Sequence, residues 1–271
     1  MTGKQVFDLV QGKFSDISTE LESWYETDAG QYLLAQTRAS LSSILDTSFG
    51  YHLLQIGPAR EQSLFEDSPI NHRIYASSRD GGVVGLISEP ESLPLESDSV
   101  DTLIAHHCLE FAEEPHQALR EMQRVLTPQG KLIIIGLNPY SLLGAAAWIR
   151  RKMGSRLWSS HQPVSQHRLN DWLRLLGCPV ESQQMLYSIP PVGSGQLQSG
   201  LMRADQWCNT SKLPLGGVYL VHAIKQVAGI HRPAQVRSRR ERLIGLTVPK
   251  PSTVPSPTPA RPITRDRKII H

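Results

Sequence analysis

Residues 83–137 read VVGLISEPESLPLESDSVDTLIAHHCLEFAEEPHQALREMQRVLTPQGKLIIIGL. The run 100–105 (VDTLIA) is short, aliphatic and β-branched, suited to a strand buried on both faces. Ala118, Leu119, Met122, Val125 and Leu126 then recur on one face of an α-helix. Pro115 suits its first turn, where no N–H is needed. Glu113 and Glu114 put negative charge at the positive end of the helix dipole. TPQG (127–130) has Pro second and Gly fourth, a turn pattern, and KLIIIG (131–136) re-enters a core. Strand, helix and strand make a βαβ unit, which implies a parallel sheet with a right-handed crossover.

Outward from this unit, HRIYASS (72–78) and YHLLQIGP (51–58) read as strands with their following loops. Residues 15–47 read as helix, with Leu21, Trp24, Tyr25, Tyr32, Leu33, Leu34, Leu41, Ile44 and Leu45 supplying apolar faces. Gly30 is expected to separate two helices. Between Ser78 and Val83 there is room only for a turn, whereas a helical crossover needs about a dozen residues. The strands at 72–78 and 83–87 therefore form either a hairpin or a shortened edge. On the other side, an apolar helix begins at Leu142, trailed by Arg150, Arg151, Lys152 and Arg156. Ser165 caps a helix whose buried stripe is Leu169, Trp172, Leu173 and Leu176, and Gly177 ends it. Strands are expected at 180–186 and 218–225.

The 271 residues carry a net charge of +3. From 231 to 271 there are ten Lys/Arg and two Asp/Glu, so this tail carries +8 and the remainder −5. With its prolines, the tail is expected to be disordered. It lacks interleaved aromatics for base stacking, which leaves at most weak, non-specific nucleic-acid contact. Cys108, Cys178 and Cys208 are widely spaced and suit a reducing compartment. The N-terminus lacks a signal-peptide pattern, and no stretch approaches the ~20 apolar residues of a membrane span. A cytoplasmic protein in three parts is expected: a helical cap (1–47), an α/β domain (48–230, with a variable loop at 189–217) and the basic tail (231–271).

The segment LPLESDSVDTLIAHHCLEFAEEPHQALREMQRVLTPQGKLIIIG resembles the type-11 branch of the class I S-adenosylmethionine (SAM)-dependent methyltransferases. More loosely, YHLLQIGP, GLNPYSLLG and RLNDWLRLLG resemble the bacterial YafS-like subgroup. The resemblance implies an α/β fold: a Rossmann-like three-layer sandwich with a mostly parallel sheet, an antiparallel last strand, and shortening around strands 2–3. It also implies SAM as cofactor and a methyl acceptor, which for this branch is a small molecule.

Carried onto this chain, the resemblance puts the cofactor against Gln55, Ile56, Gly57 and Pro58 after the first strand. Ser78 follows the second strand, where the family holds the ribose with an acid. Ser88, Glu89 and Pro90 surround the adenine, with Glu89 accepting from its amino group. Ala105 and His106 lie at the end of the fourth strand. Tyr25, Tyr32, His107, Asn138 and Tyr140 are the substrate-pocket candidates. No catalytic side chain is assigned, beyond a possible contact or base role for His106 or His107. No metal is expected, because neighbouring strand residues face opposite ways and no ligand cluster accompanies His106, His107 and Cys108. The departures are Gln55 for an acid, and Ala59 and Glu61 for glycines. They also fit a second reading, in which the fold serves as a non-catalytic binding or regulatory module.

Overall fold

The computed structural model describes residues 19–57, 63–78, 80–82, 84–154, 158, 161–187 and 216–226. Pro58, the loop 189–215 and the tail 231–271 lie outside them. Helix α1 covers 19–25 and α2 Asp28–Leu45. Then follow β1 His52–Ile56, β2 His72–Ser77, β3 Leu86–Ile87, β4 Val100–His106, α3 Pro115–Val125, β5 Leu126–Leu137 and α4 Leu142–Lys152. Helix α5 is Gln166–Leu175, and β6 Val180–Leu186 and β7 Val218–Ile224 complete the fold.

The seven strands form one sheet in the order β3-β2-β1-β4-β5-β7-β6. β1, β2, β3, β4 and β5 pair in parallel, and β7 is antiparallel to both β5 and β6. The mostly parallel α/β sandwich with a reversed last strand is thus present. The expected strand at 83–87 is reduced to Leu86–Ile87, which lies parallel to β2 in register Ala76↔Leu86. No hairpin forms. Gly81 and Gly82, both at positive φ, turn the chain, and the Gly85 amide returns to the Tyr75 carbonyl. That loop is too short for a helix, so only two residues reach the edge.

Two cores lie on opposite faces of the sheet, as alternation along buried strands requires. Leu53, Ile104, Ile133, Ile135 and Leu220 face α1, α2 and α4. Leu54, Leu103, Ala105, Leu132, Ile134 and Val221 face α3 and α5. Helix α3 begins at Pro115, as its sequence requires, and the Glu91 carboxylate accepts from the Glu113 and Glu114 amides in front of it. Glu121 and Arg124 on α3 clasp the 93–97 loop. Arg124 donates to the Leu93 and Leu95 carbonyls, and Glu121 accepts from the Leu93 amide. Ser165 caps α5, and Gly177 follows its end at φ 72°.

Two local expectations are corrected. Residues 127–130 do not form a turn between helix and strand. They bulge within β5, which pairs with β4 both before and after them, with Gln129 at φ 67°. Gly30 does not divide the N-terminal helices. Thr27 caps α2 by accepting from the Gly30 amide. A Cβ on Gly30 would stand 2.3 Å from the Trp24 carbonyl oxygen, so the glycine lets α1 close onto α2.

Candidate functional site

The site lies at the carboxyl ends of the central strands, where open parallel sheets place ligands. At the end of β1, Gly57 sits in a close cradle. A Cβ there would come within 3.0 Å of the His106 carbonyl oxygen and 3.1 Å of the Tyr75 hydroxyl. Ser78 donates to the Glu89 carboxylate at 3.0 Å, bringing the ends of β2 and β3 together. The Ser88 hydroxyl donates to the Glu89 and Ser92 carbonyls and shapes that loop. Burial, opposed by the bond from Ser78, raises the Glu89 carboxyl above its ordinary range. Ile56, Gly57, Ser78, Ser88 and Pro90 line a gap of about 10 Å³, room for about one water molecule. Gln55 is enclosed instead: its amide oxygen accepts from the Leu64 amide, and the side chain also bonds Tyr75.

At the end of β4 the chain builds a buried polar constellation. Tyr25, His106, His107 and Glu110 are each 1 % exposed. The Tyr25 hydroxyl lies 2.8 Å from His106 Nε2 and 2.6 Å from His107 Nε2. His107 Nδ1 lies 2.5 Å from Glu110 Oε1, and the Glu110 carboxylate also accepts from the Leu137 amide. The two imidazoles were expected on opposite faces. His107 instead takes φ 50°, which breaks the strand alternation and turns both rings toward Tyr25.

The partners assign the protons. A carboxylate accepts only, so His107 carries a proton on Nδ1, and its neutral tautomer offers a bare Nε2. Tyr25 donates to that nitrogen and accepts from His106 Nε2–H. His106 Nδ1 is then an acceptor, and it has no partner among the described residues. Burial holds His106 well below the ordinary histidine range, with His107 adding to the shift, so its ring is neutral. Burial and then the Glu110 charge push the Tyr25 hydroxyl well up, so it keeps its proton. Gly136 leaves the space this needs: a Cβ there would meet the Tyr219 hydroxyl at 2.3 Å and Glu110 Oε2 at 2.8 Å.

The structure thus unites Tyr25, His106 and His107, and separately Gly57, Ser78, Ser88, Glu89 and Pro90. Ala105 is enclosed in β4. Asn138 shapes a turn, donating to the Gly216 carbonyl and accepting from the Tyr140 amide. The Tyr140 side chain points into solvent. Tyr32 packs against the core beside Tyr187. Glu110 escaped sequence reasoning. Its only signal is the spacing from His107, which becomes meaningful once the chain turns sharply after β4. Among the described residues, no three His, Cys, Asp or Glu side chains are placed to hold a metal ion.

Residues 72–134 match the family model described as a methyltransferase domain, type 11. The uncharacterised protein YafS of Escherichia coli K12 is 28 % identical over 169 residues, 62 % of this chain and 70 % of that protein. A SAM-dependent methyltransferase of Thermotoga maritima, a possible histamine N-methyltransferase, superposes with a TM-score of 0.59 at 20 % identity. That match covers 79 % of this chain and 99 % of the other. One from Archaeoglobus fulgidus gives 0.50 at 17 % identity, covering 71 % and 94 %. Residues 72–134 therefore carry a methyltransferase domain, on the fold that SAM-dependent methyltransferases share. The chain is similar to YafS, and the methyltransferase domain implies SAM as cofactor.

The residues fit that cofactor in chemistry. Gly57 leaves a bare cradle, Ser78 and Glu89 present paired oxygens, and Pro90 gives an apolar wall. The gap between them is narrow, so cofactor entry requires it to widen.

Proposed function

We propose that this methyltransferase acts on a small-molecule acceptor whose oxygen or nitrogen nucleophile bears a proton. The observation that carries this reading is the buried chain from His106 through Tyr25 and His107 to Glu110. Bound SAM supplies an electrophilic methyl group. The protein supplies placement, exclusion of water and custody of the acceptor's proton. His106 Nδ1 takes that proton. Its Nε2–H passes to Tyr25, and the Tyr25 hydroxyl hydrogen passes to His107 Nε2. The charge comes to rest on His107 beside the Glu110 carboxylate. Ile56, Gly57, Ala105 and His106 are assigned to the amino-acid end of SAM, Ser78 to the ribose, and Ser88, Glu89 and Pro90 to the adenine. Gln55 supports them from behind through Tyr75. Cys108 and Cys178 are buried free thiols, which suits the reducing cytoplasm.

Calorimetric titration of SAM into the full chain, and into a chain ending at residue 230, tests the cofactor. Absence of heat at millimolar SAM would sink the reading, and equal affinities exclude a role for the tail. Methyl-labelled SAM, incubated with the protein and a bacterial extract, should label the low-mass fraction. Label in protein or nucleic acid would refute a small acceptor. Tyr25→Phe should retain SAM affinity while transfer falls, by about 10²–10⁴-fold if the relay carries the proton.

A further inference from the structure

Beside the polar constellation lies a second cavity, of about 290 Å³, between the end of β5 and the inner side of α4. Its walls are Leu137, Leu143, Ala147 and the indoles of Trp148 and Trp158. His161 closes it, its ring edge-on to Trp158 with centroids 5.5 Å apart. His161 Nε2 is buried and has no partner among the described residues. Burial holds that imidazole below its ordinary range, so it is neutral. The other polar groups of the lining differ in availability. Asn138 is committed to its turn, whereas Arg151 is exposed and no ion pair holds it among the described residues. No carboxylate among the described residues lines the cavity.

The apolar walls exclude a strongly hydrated ligand, and the aromatic rings favour a flat one. A cationic amine finds no counter-charge, whereas an anion finds Arg151. His161 Nε2 needs one hydrogen-bonding partner more than the described residues provide. From this we infer that the cavity is the acceptor pocket and takes an aromatic anion, an aryl carboxylate or its like. The aromatic body lies between the indoles, its anionic group reaches Arg151, and a polar substituent meets His161. This rests on the methyl-transfer reading. The inner wall supports it, because the Leu137 amide is bonded to Glu110 and the Gln162 amide to the Glu110 carbonyl. The pocket wall therefore backs onto Glu110, the far end of the proton relay.

Two fluorescent probes with the same rings test it on the full chain without SAM: 1-anilinonaphthalene-8-sulfonate, and its neutral counterpart N-phenyl-1-naphthylamine. One molecule of either should bind per chain, the sulfonate about fivefold more tightly, the upper end of what one solvent-exposed charge pair supplies. Arg151→Ala, at a solvent-exposed position, should make the two affinities equal. Ala147→Phe, which fills the cavity, should weaken both at least about tenfold, with thermal melting reporting that the variant folds. Equal affinity for the two probes in the unmodified protein would overturn the anion assignment. Binding indifferent to Ala147→Phe in a folded variant would place the probe on the surface and overturn the pocket. SAM calorimetry on the same samples separates the two readings. Loss of SAM binding with the probe pattern intact would refute methyl transfer and leave the anion site standing.

Discussion

At the scale of single residues, the site is built from groups whose ionisation is set by burial. Glu89 is assigned to the adenine amino group, which needs a carboxylate able to accept. Its carboxyl is raised by desolvation, so the charged form is lost at a higher pH than for an ordinary glutamate. SAM affinity should weaken as the solution is acidified through that raised value. Glu89→Gln should bind more weakly and show a flatter pH response, and calorimetry across a pH series reads both. A variant with unchanged affinity would remove Glu89 from the adenine site. Spacing and resemblance pointed to Gly57, Ser78 and Glu89, since each sits at a strand end with a recognisable neighbour. Glu110 and His161 had no such marker. Their significance depends on side chains that meet across more than twenty residues of sequence or around a left-handed turn.

Among elements, α3 is the most legible in sequence and the most heavily used. Its apolar stripe docks it on the sheet, while its last two turns hold the loop that carries Leu93 and Leu95. The bond from Arg124 keeps the Glu121 carboxyl below its usual range. Arg124→Ala releases the Leu93 and Leu95 carbonyls. Because the guanidinium is partly exposed, the expected cost is modest, on the order of 1–2 kcal/mol. Urea unfolding should show the midpoint fall at unchanged slope, with SAM affinity falling as well because the adenine wall loses its support. A stability loss with full SAM affinity would show that the clasp serves the fold alone. By contrast, β3 was over-read from its aliphatic run. Val84 and Gly85 are spent in a return loop forced by Gly81 and Gly82.

At the scale of the molecule, His106, His161 and His222 are all held below the ordinary histidine range, with burial the leading cause. The unfolded chain protonates such rings near pH ~6.5, while the native state resists. Protons therefore bind the unfolded state preferentially, and stability is fully present above that value and lost as pH falls below it. Melting temperature should fall between about pH 7.5 and about pH 5.5, and His161→Phe should make that slope shallower. A melting temperature insensitive to pH over this window would contradict the native burial of these rings. No helix among the described residues is long and apolar enough to cross a membrane.

The amino-acid sequence alone determined the parallel α/β core and helix α3. These follow from local periodicity, Pro and Gly placement, and caps, all of which act within a few residues. It also pointed to the carboxyl strand ends as the side for the proposed ligand site, because the crossover rule leaves ligands one side of the sheet. The tertiary structure alone decided that two adjacent histidines share one tyrosine and that Glu110 completes them. It also decided that a cavity opens between β5 and α4. The physical reason is the same in each case. One left-handed residue at His107 overturns strand alternation, and the close approach of α1 at Gly30 brings Tyr25 over the sheet. Both depend on long-range packing that no local pattern encodes.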